Sequence, residues 1–293
     1  MPTSRWSSKA SPGKRRPQRD SASSAAILRM IAKCYSSAVY IRLFLVLPIL
    51  FLAAASARQT EDQSIWRTWQ DEKKLIVVTI PDWNAVEGTL IRYERRGREW
   101  IKVSESIPVV VGRAGMAWDP ALTRENPDRY PGPTKHEGDG RSPFGVFALN
   151  RGTFGFTGEL RGSRMYTPLT PTIECVDDPT SRYYGRIIHR EKVDQVDWKS
   201  SEKMSSIPEY RWGVVVNYNT DHPVHGDGSC IFLHQWSRPG NGTAGCTAMS
   251  PHDIENLVHW VSGDEPIVLV QLPRPEYQRL QVHWQLPPLA QDR

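Results

Sequence analysis

Residues 229–249, SCIFLHQWSRPGNGTAGCTAM, decide both the fold and the chemistry predicted for this chain. The apolar run at residues 230–233 predicts a buried strand that ends at His234. A polar loop rich in Gly and Pro follows, and residues 243–246 (TAGC) then lead toward a helix. A cysteine nucleophile needs an imidazole and oriented backbone N–H groups that favour its thiolate. The loop allows a hairpin-like return that brings the His234 imidazole to the Cys246 sulfur, although the spacing alone does not prove it.

The helix after the cysteine has clear boundary signals. Ser250 is a good N-cap, Pro251 takes the first helical position, and Asp253 brings a carboxylate to the first turn. Apolar residues then recur at helical spacing until Gly263. We expect N–H groups around Cys246, just before this helix N-terminus, to stabilise a developing oxyanion.

The rest of the sequence predicts a single mainly β domain, of the β-rich α+β class, over residues 74–272. Alternating or β-branched runs punctuated by Gly and Pro predict further strands at residues 75–80, 89–95, 100–111, 144–149, 173–176, 185–189, 212–218 and 267–272. Residues 116–143, rich in Pro and Gly, predict a long loop. The Pro-rich tail, residues 273–293, is expected to be irregular.

The charge distribution separates the first 57 residues from the remainder. The chain has a formal net charge of +5, but residues 1–57 contain nine basic residues and one acidic residue. The remaining 236 residues therefore have a net charge of −3, which removes the motivation for nucleic-acid binding. A basic region, the apolar run at residues 43–55 and the Ala-Ser-Ala site at 55–57 predict a signal peptide with a basic N-terminal extension.

The signal-peptide interpretation predicts cleavage after Ala57 and export to the periplasm or cell envelope. Residues 58–73 are then a short linker, and no stable membrane span is expected after cleavage. A start at Met30 instead of Met1 would give a signal peptide of more ordinary length. Cys34 leaves with the signal in either case.

The region around Cys246 resembles the L,D-transpeptidase catalytic domain, or YkuD domain. In that family a strand ends in the catalytic His, and the nucleophile closes a [Ser/Thr]-x-Gly-Cys motif, matched here by residues 243–246. A second family motif, basic-[Ser/Thr]-Pro-x-Gly-x-Phe, is matched by residues 141–147 (RSPFGVF). The resemblance covers residues 74–272 and implies a curved sheet or sandwich with one helix after the cysteine. Ala248 stands where the family usually has Arg, and Ala244 where it often has His, so the chain resembles a divergent branch.

The resemblance implies a cysteine acyltransferase acting on peptidoglycan stem peptides, without a cofactor or metal. Cys246 is the implied nucleophile and His234 the implied base, with Thr243, Ala244 and Gly245 supporting the oxyanion. Two alternatives remain open. One is a carboxypeptidase or other hydrolase using the same pair, and the other is a catalytically silent wall-binding module. The acceptor amine and the oligomeric state are not predicted.

Several residues near the motif have two interpretations each. Trp236 lines a substrate groove or packs in the core, and Arg238 binds a substrate carboxylate or is a solvated loop charge. Cys175 and Cys230 pair or stay free; pairing is compatible with export, and a disulfide that used Cys246 would abolish the mechanism. A zinc site is the least favoured interpretation, because the spacing of its candidate ligands fits no familiar pattern. Those ligands are His222, His225, Cys230 and His234.

Overall fold

The strand KLIVVTI, β1 (Lys74–Ile80), is buried along its whole length. Such a strand lies in the interior of a sheet that is covered on both faces. In the computed structural model, which describes residues 71–156 and 165–289, β1 pairs in parallel with β15 (Ile267–Pro273) and antiparallel with β2 (Glu87–Arg96). These three strands are neighbours in the interior of the main sheet.

Most of the other elements are short strands, and few are helices. The remaining strands are β3 (Glu99–Lys102), β4 (Ile107–Val110), β5 (Met116–Trp118), β6 (Ser142–Ala148), β7 (Thr153–Gly155), β8 (Tyr166–Pro168), β9 (Ile173–Cys175), β10 (Ile187–His189), β11 (Glu202–Lys203), β12 (Trp212–Val215), β13 (Phe232–Gln235) and β14 (Thr247–Met249). The α-helices are α1 (Pro120–Glu125), α2 (Pro251–Val261) and α3 (Arg274–Leu280). Short 3-10 helices lie at Arg190–Lys192, Met204–Ser206 and Pro208–Arg211. The prediction of a mainly β fold is confirmed.

The strands form two sheets within the described residues. The twelve-stranded main sheet has the order β5-β6-β15-β1-β2-β4-β14-β13-β12-β7-β8, and β3 pairs with β2 outside this path. The sheet mixes parallel and antiparallel neighbours: β13 and β14 are parallel, whereas β12 and β13 are antiparallel. The second sheet contains three strands in the order β10-β9-β11.

Residues 170–211, which contain the second sheet, form a cover segment over one face of the main sheet. Ile173, Cys175, Met204 and Tyr210 of this segment pack in one apolar cluster with main-sheet and adjoining residues. Those residues are Phe154, Val215, Cys230, Phe232 and Cys246. Residues on the opposite face, such as Leu233 and Met249, belong to the larger core. The side-chain alternation of strands thus separates the two faces.

The predicted helix after the cysteine is confirmed. Ser250 has extended backbone angles and its Oγ accepts a hydrogen bond from the backbone N–H of Asp253 at 3.1 Å. One face of α2, which includes Leu257 and Val258, is fully buried. The helix ends at Val261, two residues before the predicted stop at Gly263.

The structure corrects two predicted irregular regions. The predicted loop at 116–143 contains β5 and α1, and Asp119 caps α1 by accepting a hydrogen bond from the Ala121 N–H at 2.9 Å. The predicted irregular tail begins with α3, and it packs into the main core through Tyr277, Leu280, Trp284 and Leu286. In both segments, burial of apolar side chains stabilises regular structure despite the high Pro content.

Several predicted strands have different boundaries: the one predicted at 185–189 starts at Ile187, and the one predicted at 212–218 ends at Val215. The predicted strand at 100–111 divides into β3 and β4, and Pro108 lies within β4. The predicted strand ending at His234 starts later, at Phe232, because Cys230 has a positive φ of 54° that interrupts extended backbone.

We expect Tyr277→Phe to lower the free energy of unfolding by about 1 kcal/mol. The buried Tyr277 hydroxyl donates to the Pro287 carbonyl at 2.7 Å, and phenylalanine removes this donor while keeping the ring. Urea unfolding of the two proteins measures the difference. Val282→Ala, in the same tail but 83% exposed, is the control and should change stability by less than about 0.5 kcal/mol. Equal stability of Tyr277→Phe and the parent protein would show that the hydrogen bond to Pro287 does not stabilise the tail.

Residues 1–70 lie outside the described residues, and with them the predicted signal peptide and most of the linker. Within residues 71–156 and 165–289, no helix combines the length and apolar content needed to cross a bilayer.

Candidate active site

His234 and Cys246 meet through the parallel pairing of β13 and β14. The register places Leu233 beside Thr247 and His234 beside Ala248, so Cys246 lies next to the start of β13. Strand spacings of about 4.8 Å across and 3.3 Å per residue along put the two Cα atoms about 8 Å apart. The structure therefore brings together the two residues that the sequence singled out, from positions twelve residues apart in the chain.

The Cys246 sulfur is buried, with 6% of the residue exposed, and it contacts backbone groups of the neighbouring segment, residues 230–232. The N–H of Phe232 donates to Sγ at 3.2 Å, and the thiol donates to the carbonyl of Cys230 at 3.4 Å. The first contact favours the thiolate, and the second requires the protonated thiol. This arrangement is a thiol at rest with a donor already aimed at its ionised form.

The His234 imidazole is oriented by backbone. Its Nδ1 lies 2.7 Å from the carbonyl oxygen of Gln235, which can only accept, so Nδ1 has the proton. Nε2 is consequently the nitrogen that can act as a base. A backbone carbonyl therefore sets the orientation of this imidazole.

Burial keeps both groups neutral at rest. Burial lowers the pKa of His234 to about 4, although the Gln235 carbonyl and the charge of Glu209 oppose the change. Burial also raises the pKa of the Cys246 thiol well above its usual range, and the carboxylate of Glu202 adds to this increase. The Phe232 N–H and the charge of Lys135 act in the opposite direction. A neutral thiol and a neutral imidazole make general-base activation more suitable than a preformed ion pair.

The motif loop before Cys246 is held by its own hydrogen bonds. Thr243 Oγ1 donates to the Cys246 carbonyl at 2.5 Å and accepts from the Gly245 N–H at 3.1 Å. Gly245 is tightly packed, because a Cβ there would lie 3.2 Å from the Arg141 carbonyl oxygen. Ala244 is exposed. Thr243 and Gly245 thus shape the loop that presents the cysteine.

The expected contribution of the helix N-terminus to Cys246 stays a prediction. Strand β14 separates the cysteine from α2, so the first turn of the helix does not directly follow the sulfur. The N–H donor that the sulfur contacts comes from Phe232 on the neighbouring strand. The dipole of a helix acts mainly within its first turn, and the intervening strand moves that turn away from Cys246 along the chain.

The second sequence motif braces the cysteine loop. Ser142 Oγ donates to the Cys246 carbonyl at 2.9 Å and accepts from the Gly112 N–H at 2.9 Å, and the residue is fully buried. The Arg141 guanidinium donates to backbone carbonyls of Trp83 and Met116, which fixes the start of β6. The motif therefore connects three chain segments beneath the cysteine.

We expect Ser142→Ala to lower the free energy of unfolding by about 1–3 kcal/mol. The substitution leaves the buried Gly112 N–H without its acceptor and removes one donor from the Cys246 carbonyl. Thermal or urea unfolding measures the loss. Ser237→Ala, in the exposed loop between β13 and β14, is the matched control and should be nearly neutral. A stability loss no larger than that of the control would contradict the bracing role.

The sequence interpretation missed a polar pair beside the site. Tyr210 is buried, and its ring lies 5.2 Å from the His234 ring in an edge-on arrangement. Its hydroxyl donates to Glu202 Oε2 at 2.6 Å. No sequence signal marks these residues, because the cover segment brings them to the site only after folding.

The structure distinguishes the three cysteines of the described residues. Cys175 and Cys230 form a disulfide with a Cα–Cα distance of 6.0 Å, and Cys246 is free and buried. Because the Cys230 sulfur is bonded to Cys175, it is not available as the zinc ligand considered above. Within the described parts of the chain, no group of three or more His, Cys, Asp or Glu side chains is arranged to hold a metal.

The two candidate substrate-binding residues lie in the loop after β13. Trp236 is partly exposed, and its backbone N–H donates to the Met249 carbonyl at 2.8 Å. Arg238 is exposed. Both stay predictions, although partial exposure of Trp236 is compatible with a ligand contact.

A large cavity lies next to the site without containing it. It has a volume of about 900 Å³ and lies between the cover segment and the β7–β12 edge of the main sheet. Phe154, Met204 and Val215 line it and also pack in the cluster that contains Cys246. Neither Cys246 nor His234 lines the cavity.

The sheet places Cys246, the residue before β14, beside a backbone-oriented histidine on the parallel neighbour β13, an arrangement that suits nucleophilic catalysis by a cysteine. The family model of the L,D-transpeptidase catalytic domain, YkuD, matches residues 82–269, and the chain belongs to this family. Members of the family are cysteine-dependent L,D-transpeptidases that act on peptidoglycan stem peptides.

Comparison with solved structures finds two forms of one protein. They are crystal structures of the helical cell shape determining protein Pgp2 from Campylobacter jejuni, one of a point mutant and one of the protein without the mutation. Each is 13% identical to this chain, with a TM-score of 0.32. The match covers 73% of this chain and 55% or 56% of the Pgp2 chain, so it spans little more than half of Pgp2. No curated protein matches the sequence.

Proposed function

We propose that the protein is an exported L,D-transpeptidase: a cysteine acyltransferase that takes a peptidoglycan stem peptide onto Cys246 and passes it to an amine. The observation that carries the proposal is the parallel pairing of β13 and β14, which places His234 near Cys246, the residue before β14, with the Phe232 N–H donating to the sulfur. Family membership supports the class of reaction.

The first half of the reaction forms a thioester. His234 Nε2 takes the proton of the Cys246 thiol, and the sulfur attacks the carbonyl carbon of the third stem residue. The carbon–nitrogen bond to the terminal D-alanine breaks, and the imidazolium returns its proton to the leaving amine. N–H groups of the 243–246 loop stabilise the oxyanion of the tetrahedral intermediate.

The second half releases the acyl group. An amine from another stem peptide attacks the thioester carbon, His234 takes the proton from that amine, and the carbon–sulfur bond breaks. The proton returns to the sulfur, which restores the thiol. Water as the acceptor would instead give a carboxypeptidase or another hydrolase with the same two residues.

Substrate access requires movement of side chains that now enclose the sulfur. The stem peptide enters through the cavity beside Phe154 and Met204, where apolar walls and polar rim residues suit a peptide with charged ends. Trp236 and Arg238 lie in the loop after β13 and are the proposed contacts for the other side of the substrate. Placement of a substrate carboxylate by Arg238 would compensate for Ala248.

Export is supported by two independent features. The Cys175–Cys230 disulfide suits an oxidising compartment, and residues 1–57 have the pattern of a secretory signal. We propose the periplasm or cell envelope as the location.

The test is incubation of the purified full chain with disaccharide tetrapeptides, followed by chromatography and mass spectrometry of the products. Cross-linked dimers that require Cys246 support the transpeptidase. Loss of the terminal D-alanine without cross-links overturns transpeptidation and supports the hydrolase. No turnover overturns both, and wall binding without turnover supports the silent module.

A further inference from the structure

We propose that Glu202 and Tyr210 form a positioning pair: the Tyr210 ring fixes the His234 imidazole, and the negative charge of the Glu202 carboxylate adds to the effect of burial and disfavours the Cys246 thiolate. The role of His234 in this proposal rests on the proposed function, whereas the effect on the sulfur does not. Neither residue belongs to the two sequence motifs.

The first part of the proposal rests on the contacts of Tyr210. Only 4% of this residue is exposed, and its ring packs edge-on against His234 at 5.2 Å and against Phe232 at 5.5 Å. The hydroxyl at the far end of the ring donates to Glu202 at 2.6 Å. The Tyr210 ring is fixed by its hydroxyl bond to Glu202 and by its contact with Phe232. A fixed ring packed against His234 leaves the imidazole little freedom to rotate.

The second part rests on a continuous path from Glu202 to the sulfur. Glu202 is the register partner of Cys175 in the β9–β11 pair. Cys175 is bonded to Cys230, whose carbonyl oxygen accepts the hydrogen bond from Cys246 Sγ. The register, the disulfide and this hydrogen bond thus link the strand that contains Glu202 to the segment that contacts the sulfur. A nearby negative charge disfavours a thiolate.

Other charged groups near the pair have defined effects. Burial raises the pKa of Glu202 to about 7; the Tyr210 hydrogen bond lowers it, and the charges of Asp177 and Glu137 raise it. On the sulfur, Lys135 opposes Glu202. Glu202 consequently changes charge near neutral pH, and the thiolate forms more readily once this carboxyl is protonated or its charge is removed.

The experiment measures the alkylation rate of Cys246 by iodoacetamide against pH, in the full chain, by mass spectrometry of the Cys246 peptide. Glu202→Gln removes the charge and keeps a carbonyl that accepts from Tyr210. We expect the apparent thiol pKa to fall by about one unit, and alkylation at pH 8 to rise about three- to tenfold. The ratio of variant to parent rate should approach one below pH 6, because Glu202 is then protonated in the parent.

Two further variants separate a charge effect from a loosened cover segment. Glu174→Gln changes another buried carboxylate of the same three-stranded sheet, bonded to Arg190, Trp198 and Ser201, and should leave the rate unchanged. Tyr210→Phe removes the hydrogen bond that keeps the Glu202 pKa down, so alkylation near pH 7 should also rise.

The proposal is overturned if the Glu202→Gln profile overlays that of the parent, or if Glu174→Gln accelerates alkylation equally at all pH values. Because alkylation needs no substrate, this outcome is distinguishable from failure of the proposed function. If the protein turns over no muropeptide but Glu202→Gln still changes the pH dependence of alkylation, the proposed function is wrong. The proposed effect of Glu202 on the sulfur is then still supported. For an active enzyme, Tyr210→Phe should lower kcat more than it changes KM.

Discussion

Cys246→Ala is expected to reduce turnover of stem peptides by at least about a thousandfold. The sulfur is the group that forms the thioester, and in the described part of the chain the other two cysteine sulfurs are joined to each other. Product formation from disaccharide tetrapeptides, measured under identical conditions for both proteins, gives the ratio. A carbapenem should add its full mass to the parent protein and add nothing to the alanine variant.

Two controls accompany this substitution. Cys246→Ser retains a hydroxyl that can contact the Phe232 N–H and the Cys230 carbonyl, so it tests the sulfur itself with little change of packing. Urea unfolding should show that both variants stay folded, with stability changes of at most about 1–2 kcal/mol. Turnover of the alanine variant within tenfold of the parent would exclude Cys246 as the nucleophile.

Removal of the Cys175–Cys230 disulfide is expected to lower the free energy of unfolding by about 4 kcal/mol. The bond joins residues 55 positions apart, and closing a loop of this length removes much conformational entropy from the unfolded chain. Urea unfolding of the double variant Cys175→Ser/Cys230→Ser, compared with the parent, measures the loss.

Reduction provides the matched control for this prediction. Dithiothreitol should lower the urea midpoint of the parent toward that of the double variant and leave the double variant unchanged. A loss below about 1 kcal/mol would contradict a bonded pair that stabilises the fold. The alkylation rate of Cys246 should also change in the double variant. The Cys230 carbonyl and the Phe232 N–H contact the sulfur, and without the disulfide their segment is no longer bonded to Cys175.

The sequence predicted the elements whose local pattern was strong. The run at β1 and the capped start of α2 at Ser250 needed no tertiary information. The same signals were present at Asp119-Pro120, an N-cap followed by proline at the first helical position, but the many Pro and Gly residues around them favoured a loop. In the tail, Tyr277 and Leu280 have the spacing of one helical face, which the Pro content obscured.

The candidate site was predictable only where its residues share a motif. His234 and Cys246 were found because strand, loop and motif occur in one short segment. The Phe232 N–H became a contact of the sulfur through the strand register and the positive φ of Cys230, which no local pattern reports. Glu202 and Tyr210 reach the site on a separate segment, and their role depends on how the cover segment folds back.

The parallel pairing of β13 and β14 makes the separation of His234 and Cys246 independent of the length of chain that joins them. The connection is anchored at its start by the Trp236–Met249 hydrogen bond and at its end by Gly242, where a Cβ would lie 2.6 Å from the Arg113 Cα. Between these anchors, residues 237–241 are all exposed. Insertions or deletions in this exposed segment should therefore leave the positions of both side chains unchanged.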